Sequence, residues 1–229
     1  MIKRFLFVPV AVAFAAAVAA QPPQTPPQTP TQPPPAGAQP QRPPQAPLGP
    51  NEWRIDRNHS QANFSVRHNV VSTVRGQLGA ISGKIEYDGK DVKSITADVI
   101  IDVTAINTGN SGRDNDLRSD NFFNTAQFPN MTFKSKRVEP VSQGKFRMIG
   151  DLTIRDKTRE VVLEVEGPSA VVKSQRGVLT GATATTTITR QDFGIMYNRM
   201  IEALPVVSNE VTVVIDLELN RPAMPGGTQ

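Results

Sequence analysis

The run Glu210 to Leu219, EVTVVIDLEL, decides the fold. Val211, Val213, Ile215, Leu217 and Leu219 occupy every second position, with Thr212, Asp216 and Glu218 between them. Period two is the mark of a strand with one face buried and the other in water, because successive side chains leave a strand on opposite sides.

Seven more runs upstream carry the same signal: Gln61 to His68 (Ala62, Phe64 and Val66 inward), Leu78 to Tyr87, Ser94 to Val103, Met131 to Val138, Lys145 to Ile154, Glu160 to Glu166 and Val178 to Thr189. Helical periodicity is weak outside 113–123, where Asp and Ser residues could cap one short helix. The pattern predicts an all-β antiparallel sheet. Eight strands with edges to hide favour closure into an up-and-down barrel with a short helix in the long loop around 113–123. A two-sheet sandwich is the competing arrangement. If the strands alternate up and down, the connections 69–77, 104–130, 155–159 and 190–209 share one end. Two of these exceed the usual loop length of about 12–15 residues, which marks binding loops and lids, so this end is the expected mouth.

Three flanking segments surround the domain at 51–220. Residues 1–20 place Lys3 and Arg4 before an apolar stretch from Phe5 to Ala20, a pattern expected of a cleaved secretory signal and of a periplasmic protein. Residues 21–50 hold thirteen of the twenty prolines and read as a disordered Pro/Gln-rich linker. Residues 221–229 read as a flexible tail. Of the 25 basic residues, Lys3, Arg4, Arg42 and Arg221 lie outside 51–220, which leaves 21 to face 21 acids there. A neutral domain gives no footprint for nucleic acid. The chain has no cysteine, which removes disulfides, thiolate nucleophiles and covalent haem.

The candidate ligand site starts from the segment Arg113 to Phe133, RDNDLRSDNFFNTAQFPNMTF, with Phe122, Phe123, Phe128 and Phe133 beside the pair Arg113 and Asp114. An apolar cluster with a charged entrance suits a molecule with a greasy body and a polar head. Arg113 with Asp114, and Arg190 with Asp192, read first as structural ion pairs and second as head-group contacts. His68 shares a strand face with Phe64 and Val66, so it reads as a core histidine or as a donor to a ligand. His59, Ser60 and Asp56 supply the residue types of a hydrolytic triad but sit too close along an extended chain to converge; they read as hydrogen bonding at a strand start. A metal site built on His59 or His68 would need carboxylates to complete it. No catalytic or metal residue is assigned, and the chain is not expected to be an enzyme.

Taken together, Asp56 with His59-Ser60, Phe64, His68, Arg113-Asp114, Leu117-Arg118-Ser119, Phe122-Phe123, Phe128-Pro129, Phe133, Gly150-Asp151-Leu152-Thr153, Arg190 and Asp192-Phe193-Gly194 resemble the YceI-like family from about Trp53 to Leu219. The resemblance implies an exported, lipocalin-like barrel that binds polyisoprenoids or related long-chain lipids in an apolar tunnel. Phe64, Val66, Phe122, Phe123, Phe128, Phe133, Ile188 and Phe193 are its expected lining, with His68, Arg113, Asp114 and Arg190 as polar candidates. No cofactor is implied beyond a bound isoprenoid-type lipid or quinone, and export leaves room for an inner-membrane redox or lipid-synthesis partner. The sequence does not choose between monomer and homodimer. Asp116 and Arg155-Asp156 stand where the family commonly has His and His-Gly, so the head group can differ. Two other functions stay open: a ligand-free interaction module docking through the Pro-rich linker, and a lipid-modifying enzyme.

Overall fold

In the computed structural model, which describes residues 48–175, 177–197, 200–201 and 204–222, the alternating run at Glu210–Leu219 lies inside one strand, Val207–Pro222. The expected signal, nearly all of the linker and the tail beyond Pro222 lie outside the described residues. The strands in chain order are β1 (Glu52–Ile55), β2 (Gln61–His68), β3 (Ser72–Glu86), β4 (Thr96–Asp102), β5 (Asn130–Ser142), β6 (Lys145–Ile154), β7 (Lys157–Glu166), β8 (Val172–Ser174), β9 (Gly177–Thr189), β10 (Met200–Ile201), β11 (Leu204–Pro205) and β12 (Val207–Pro222). One helix, α1 (Ser111–Arg118), lies between β4 and β5.

Strands β2, β3, β4, β5, β6, β7, β9 and β12 pair in that order, each antiparallel to the next, and β12 returns to β2. This is the closed eight-stranded barrel that the alternation predicts. Closure leaves none of these strands at a free edge along its whole length, although β7 pairs with β9 only over Glu164 to Glu166, and the buried apolar face of each turns inward.

The four short strands went unread because two to four residues cannot display a period. β1 continues the wall position of β2 across a break at 56–60, pairing Trp53 with Ile85 of β3 and Ile55 with Leu219 of β12. At the break, Ser60 Oγ donates to Glu218 O at 3.3 Å and accepts from Glu218 N at 3.0 Å, as expected for a strand start. Trp53 is 1% exposed; its indole N–H donates to Tyr87 O at 2.9 Å and Arg221 stacks over its ring at 4.9 Å. Arg221 thus belongs to β12 and not to a tail. β8 adds outside β9, and β10 pairs with β11 inside the connection that follows β9.

The mouth departs from expectation at β3, which starts at Ser72 and shrinks the connection 69–77 to three residues. Above Ala80, β3 has no β4 partner, because β4 ends at Asp102. The connection 103–129 fills that part of the wall, joined to β3 by a bridge between Gln77 and Asn107. Gly79 makes the crossing, with φ +143° and an ideal Cβ position 1.8 Å from Asp102 O, where a side chain would collide with β4.

Candidate functional site

Inward residues from around the wall leave a deep cavity of about 110 Å³ in the barrel, lined by Ile85, Val99, Phe133, Phe146, Met148, Leu163 and Ala184 among others. No polar atom faces it. Phe133 owes its position to Gly150, whose ideal Cβ would lie 2.6 Å from the ring, so the bare backbone of β6 makes room for the phenyl group.

A second cavity of about 70 Å³ lies toward the mouth, lined by Phe64, Val66, Leu78, Leu117, Phe122, Phe123, Ile154, Ile195, Val207, Val211 and Arg190. Met131, Ile188 and Val213 line both cavities. Each is smaller than the ~150 Å³ engineered cavity that stays dry and takes up benzene, and far below the ~300–1,000 Å³ of a drug-sized pocket.

The long connection covers this upper cavity. Helix α1 is capped at its start by Asn110, whose Oδ1 accepts from Arg113 N at 3.0 Å, while Ser119, among the residues expected to cap, closes its end by donating its hydroxyl to Asp116 O at 2.6 Å. The helix ends at Arg118, so Phe122 and Phe123 fall in the following turn, where Phe123 N donates to Leu117 O at 3.0 Å and both rings pack on the core and line the cavity with Leu117. Phe122 also packs on Tyr197 at 5.1 Å between ring centroids, joining the two long mouth connections. Arg155 ties them as well, donating through Nη1 to Phe122 O at 3.2 Å and to Gly194 O at 3.3 Å. Its buried Nε has no hydrogen-bond partner, and its φ of +57° sits in the two-residue turn between β6 and β7.

The polar candidates do different work from that expected. Arg113 and Asp114 form no ion pair; both hold Thr108. Asp114 Oδ1 accepts from Thr108 N at 2.8 Å and from its hydroxyl at 2.6 Å, while Arg113 donates to Thr108 Oγ1 at 2.7 Å and Thr108 O at 3.0 Å. Arg190 does not pair with Asp192. It is 4% exposed and donates to Ser208 O, Ile195 O, Tyr197 O, Val207 O and Asn209 Oδ1 at 2.7–3.4 Å. A guanidinium has five N–H donors, so the charge is buried with none to spare. Burial pushes its pKa below the ordinary arginine value.

Phe64, Val66, Phe122, Phe123, Phe133, Ile188 and Arg190 therefore come together on the two cavities. His68, Arg113, Asp114, Phe128 and Phe193 line neither. His68 is half-exposed at the rim, Phe128 packs half-buried after its N–H bonds Asn124 O at 2.9 Å, and Phe193 is 1% exposed in solid core. Missed lining residues are Met131, Val213, Leu117 and most of the deep set. Val99, Phe146, Met148 and Leu163 lie in the alternating runs Ser94 to Val103, Lys145 to Ile154 and Glu160 to Glu166, but period two does not distinguish a residue facing a void from one facing another side chain.

The Asp114 carboxyl is held below the usual carboxylate range, foremost by the Thr108 hydroxyl, against an opposing push from burial. A depressed folded pKa contributes stability that is full above the unfolded value of about 4 and is lost as pH falls through the folded value. Below pH about 4, the Thr108 amide should lose hydrogen-exchange protection before the barrel amides do; simultaneous loss would show that Asp114 does not anchor the connection.

At the opposite end of the barrel, His59 Nδ1 lies 3.3 Å from Asp56 Oδ2 and 3.6 Å from Glu218 Oε1. This is the grouping of three His and carboxylate side chains, among the described residues, that could hold a metal ion, but His59 is 64% exposed there and the cluster lies outside both cavities.

A family model described as the YceI-like domain matches residues 53–219. The chain belongs to the YceI-like family. UPF0312 protein SA2479 of Staphylococcus aureus (strain N315) is 34% identical over 149 residues, covering 65% of this chain and 84% of that protein. The crystal structure of the Campylobacter jejuni YCEI protein is 30% identical at a TM-score of 0.59, covering 67% of this chain and 88% of that one. A polyisoprenoid binding domain from Saccharophagus degradans, implicated in plant cell wall breakdown, shares the fold at a TM-score of 0.54 and 20% identity, covering 74% of this chain and 98% of that one. In this YceI-like barrel the matched region runs from the buried Trp53 to Leu219 of β12.

Proposed function

We propose that this YceI-like protein is a lipid carrier that holds the tail of a polyisoprenoid, isoprenoid quinone or similar long-chain amphiphile inside the barrel. The observation that carries the reading is the pair of contiguous cavities with no polar surface, roofed by Phe122 and Phe123. An interior without a free donor, acceptor or charge selects hydrocarbon, since an unpaired polar group taken there would lose its water without compensation. The structural neighbour from Saccharophagus degradans, titled a polyisoprenoid binding domain, supports the same class of ligand. The basic, apolar start of the chain supports work in the periplasm, where a carrier would exchange its cargo with inner-membrane lipid-synthesis or redox enzymes.

The test is organic extraction of gently purified protein followed by mass spectrometry, with uptake of an added polyprenol measured in parallel. A co-purifying isoprenoid or quinone, or saturable uptake that raises the melting temperature, is the expected result. Protein that yields no lipid and takes up no polyprenol would sink the reading.

A further inference from the structure

Resting on the carrier reading, we propose that Met131 is the movable divider of a two-compartment tail channel and sets the length of hydrocarbon tail that the barrel accepts. Met131, Ile188 and Val213 are the residues common to both cavities, so they form the layer between them. All three are buried. In the pairing order β2, β3, β4, β5, β6, β7, β9, β12, strand β5 stands four places from β12 and three from β9. Met131, on β5, therefore stands on the wall opposite Val213 of β12 and three strands from Ile188 of β9.

The two sides of this layer differ in stiffness. Ile and Val are branched at Cβ and restricted at χ1, whereas Met has three rotatable bonds and an unbranched thioether that fills irregular space. Only the β5 side can swing without moving backbone. A short tail enters one compartment by spreading its walls and leaves the divider in place. A long flexible tail has to run through both, which requires the Met131 side chain to turn aside. Because neither compartment shows a polar atom, the head group stays at the mouth and tail length is what the interior reads.

The experiment uses the folded, full-length protein and two prenols that differ in length, geraniol and solanesol, each displacing a fluorescent apolar probe. Met131→Ile stiffens the divider, a side chain having to be forced off its rotamer for a long tail to pass, and should lower the ratio of solanesol to geraniol uptake rates about tenfold. Met131→Ala should raise that ratio, and the volume-conserving Met131→Leu should shift it less than Met131→Ile does, which keeps the comparison valid if one variant folds poorly. A Met131→Ile protein that takes up solanesol at the wild-type rate, or that weakens both prenols alike, overturns the divider while leaving the carrier reading intact. A wild-type protein that binds neither prenol overturns both.

Discussion

Replacing Arg190 with methionine should lower the folding free energy by about 3 kcal/mol, measured as a shifted urea midpoint at unchanged slope. The side chain is 4% exposed and its five donors meet four main-chain carbonyls and the Asn209 amide oxygen. Methionine fills similar space but satisfies none of them. Losing hydrogen bonds to a charged group costs about 1.5–3 kcal/mol each and stranding an acceptor about 1–3. Against that, no carboxylate forms an ion pair with Arg190 among the described residues, so deleting the charge recovers desolvation energy. Carbonyls near the mouth can also rehydrate. These offsets bring the expected total well below the sum of the bonds. Arg190→Lys should recover less than half, since one compact ammonium cannot reach acceptors spread from Ile195 to Asn209. A loss below about 0.5 kcal/mol for Arg190→Met would show that the connection after β9 is held by other contacts.

The fate of Arg190 shows where sequence reading stopped. Asp192 is two residues away and carries the opposite charge, so pairing was the natural inference; the actual partners are carbonyl oxygens, which every residue has and which only the path of the chain brings together. Thr108 escaped for the same reason, since a threonine in a loop gives no sign that Arg113 and Asp114 will both close on it. Strands fared better because their signal is local: β2 and β6 match their predicted bounds, and β12 was legible from five alternating apolar residues. Ring placement fell between these cases. Phe122 and Phe123 reach a cavity and Phe128 does not, because the turn after α1 brings the first two onto the cavity beside Leu117 before the chain leaves for β5.

Ala184→Phe should abolish binding of a polyprenol, weakening it by more than about 100-fold, while the protein stays folded. The deep cavity exists because β9 lines it with the small Ala182, Ala184 and Thr186, beside the larger Phe133, Phe146 and Leu163 of β5, β6 and β7. A phenyl ring needs about the space that accepts benzene in a ~150 Å³ cavity, and here about 110 Å³ is open. The new ring therefore consumes the void and overpacks it, at a cost of about 1–3 kcal/mol that a closed barrel survives. Ile100→Phe is the matched control: Ile100 is 38% exposed on the outer face of β4, so the same ring is added without touching the interior. Loss of polyprenol binding in Ala184→Phe alone, with both variants giving wild-type circular dichroism, places the tail in the barrel. Equal binding by the two variants would mean that lipid sits on an outer surface and that the alanines of β9 are core residues with no ligand to meet.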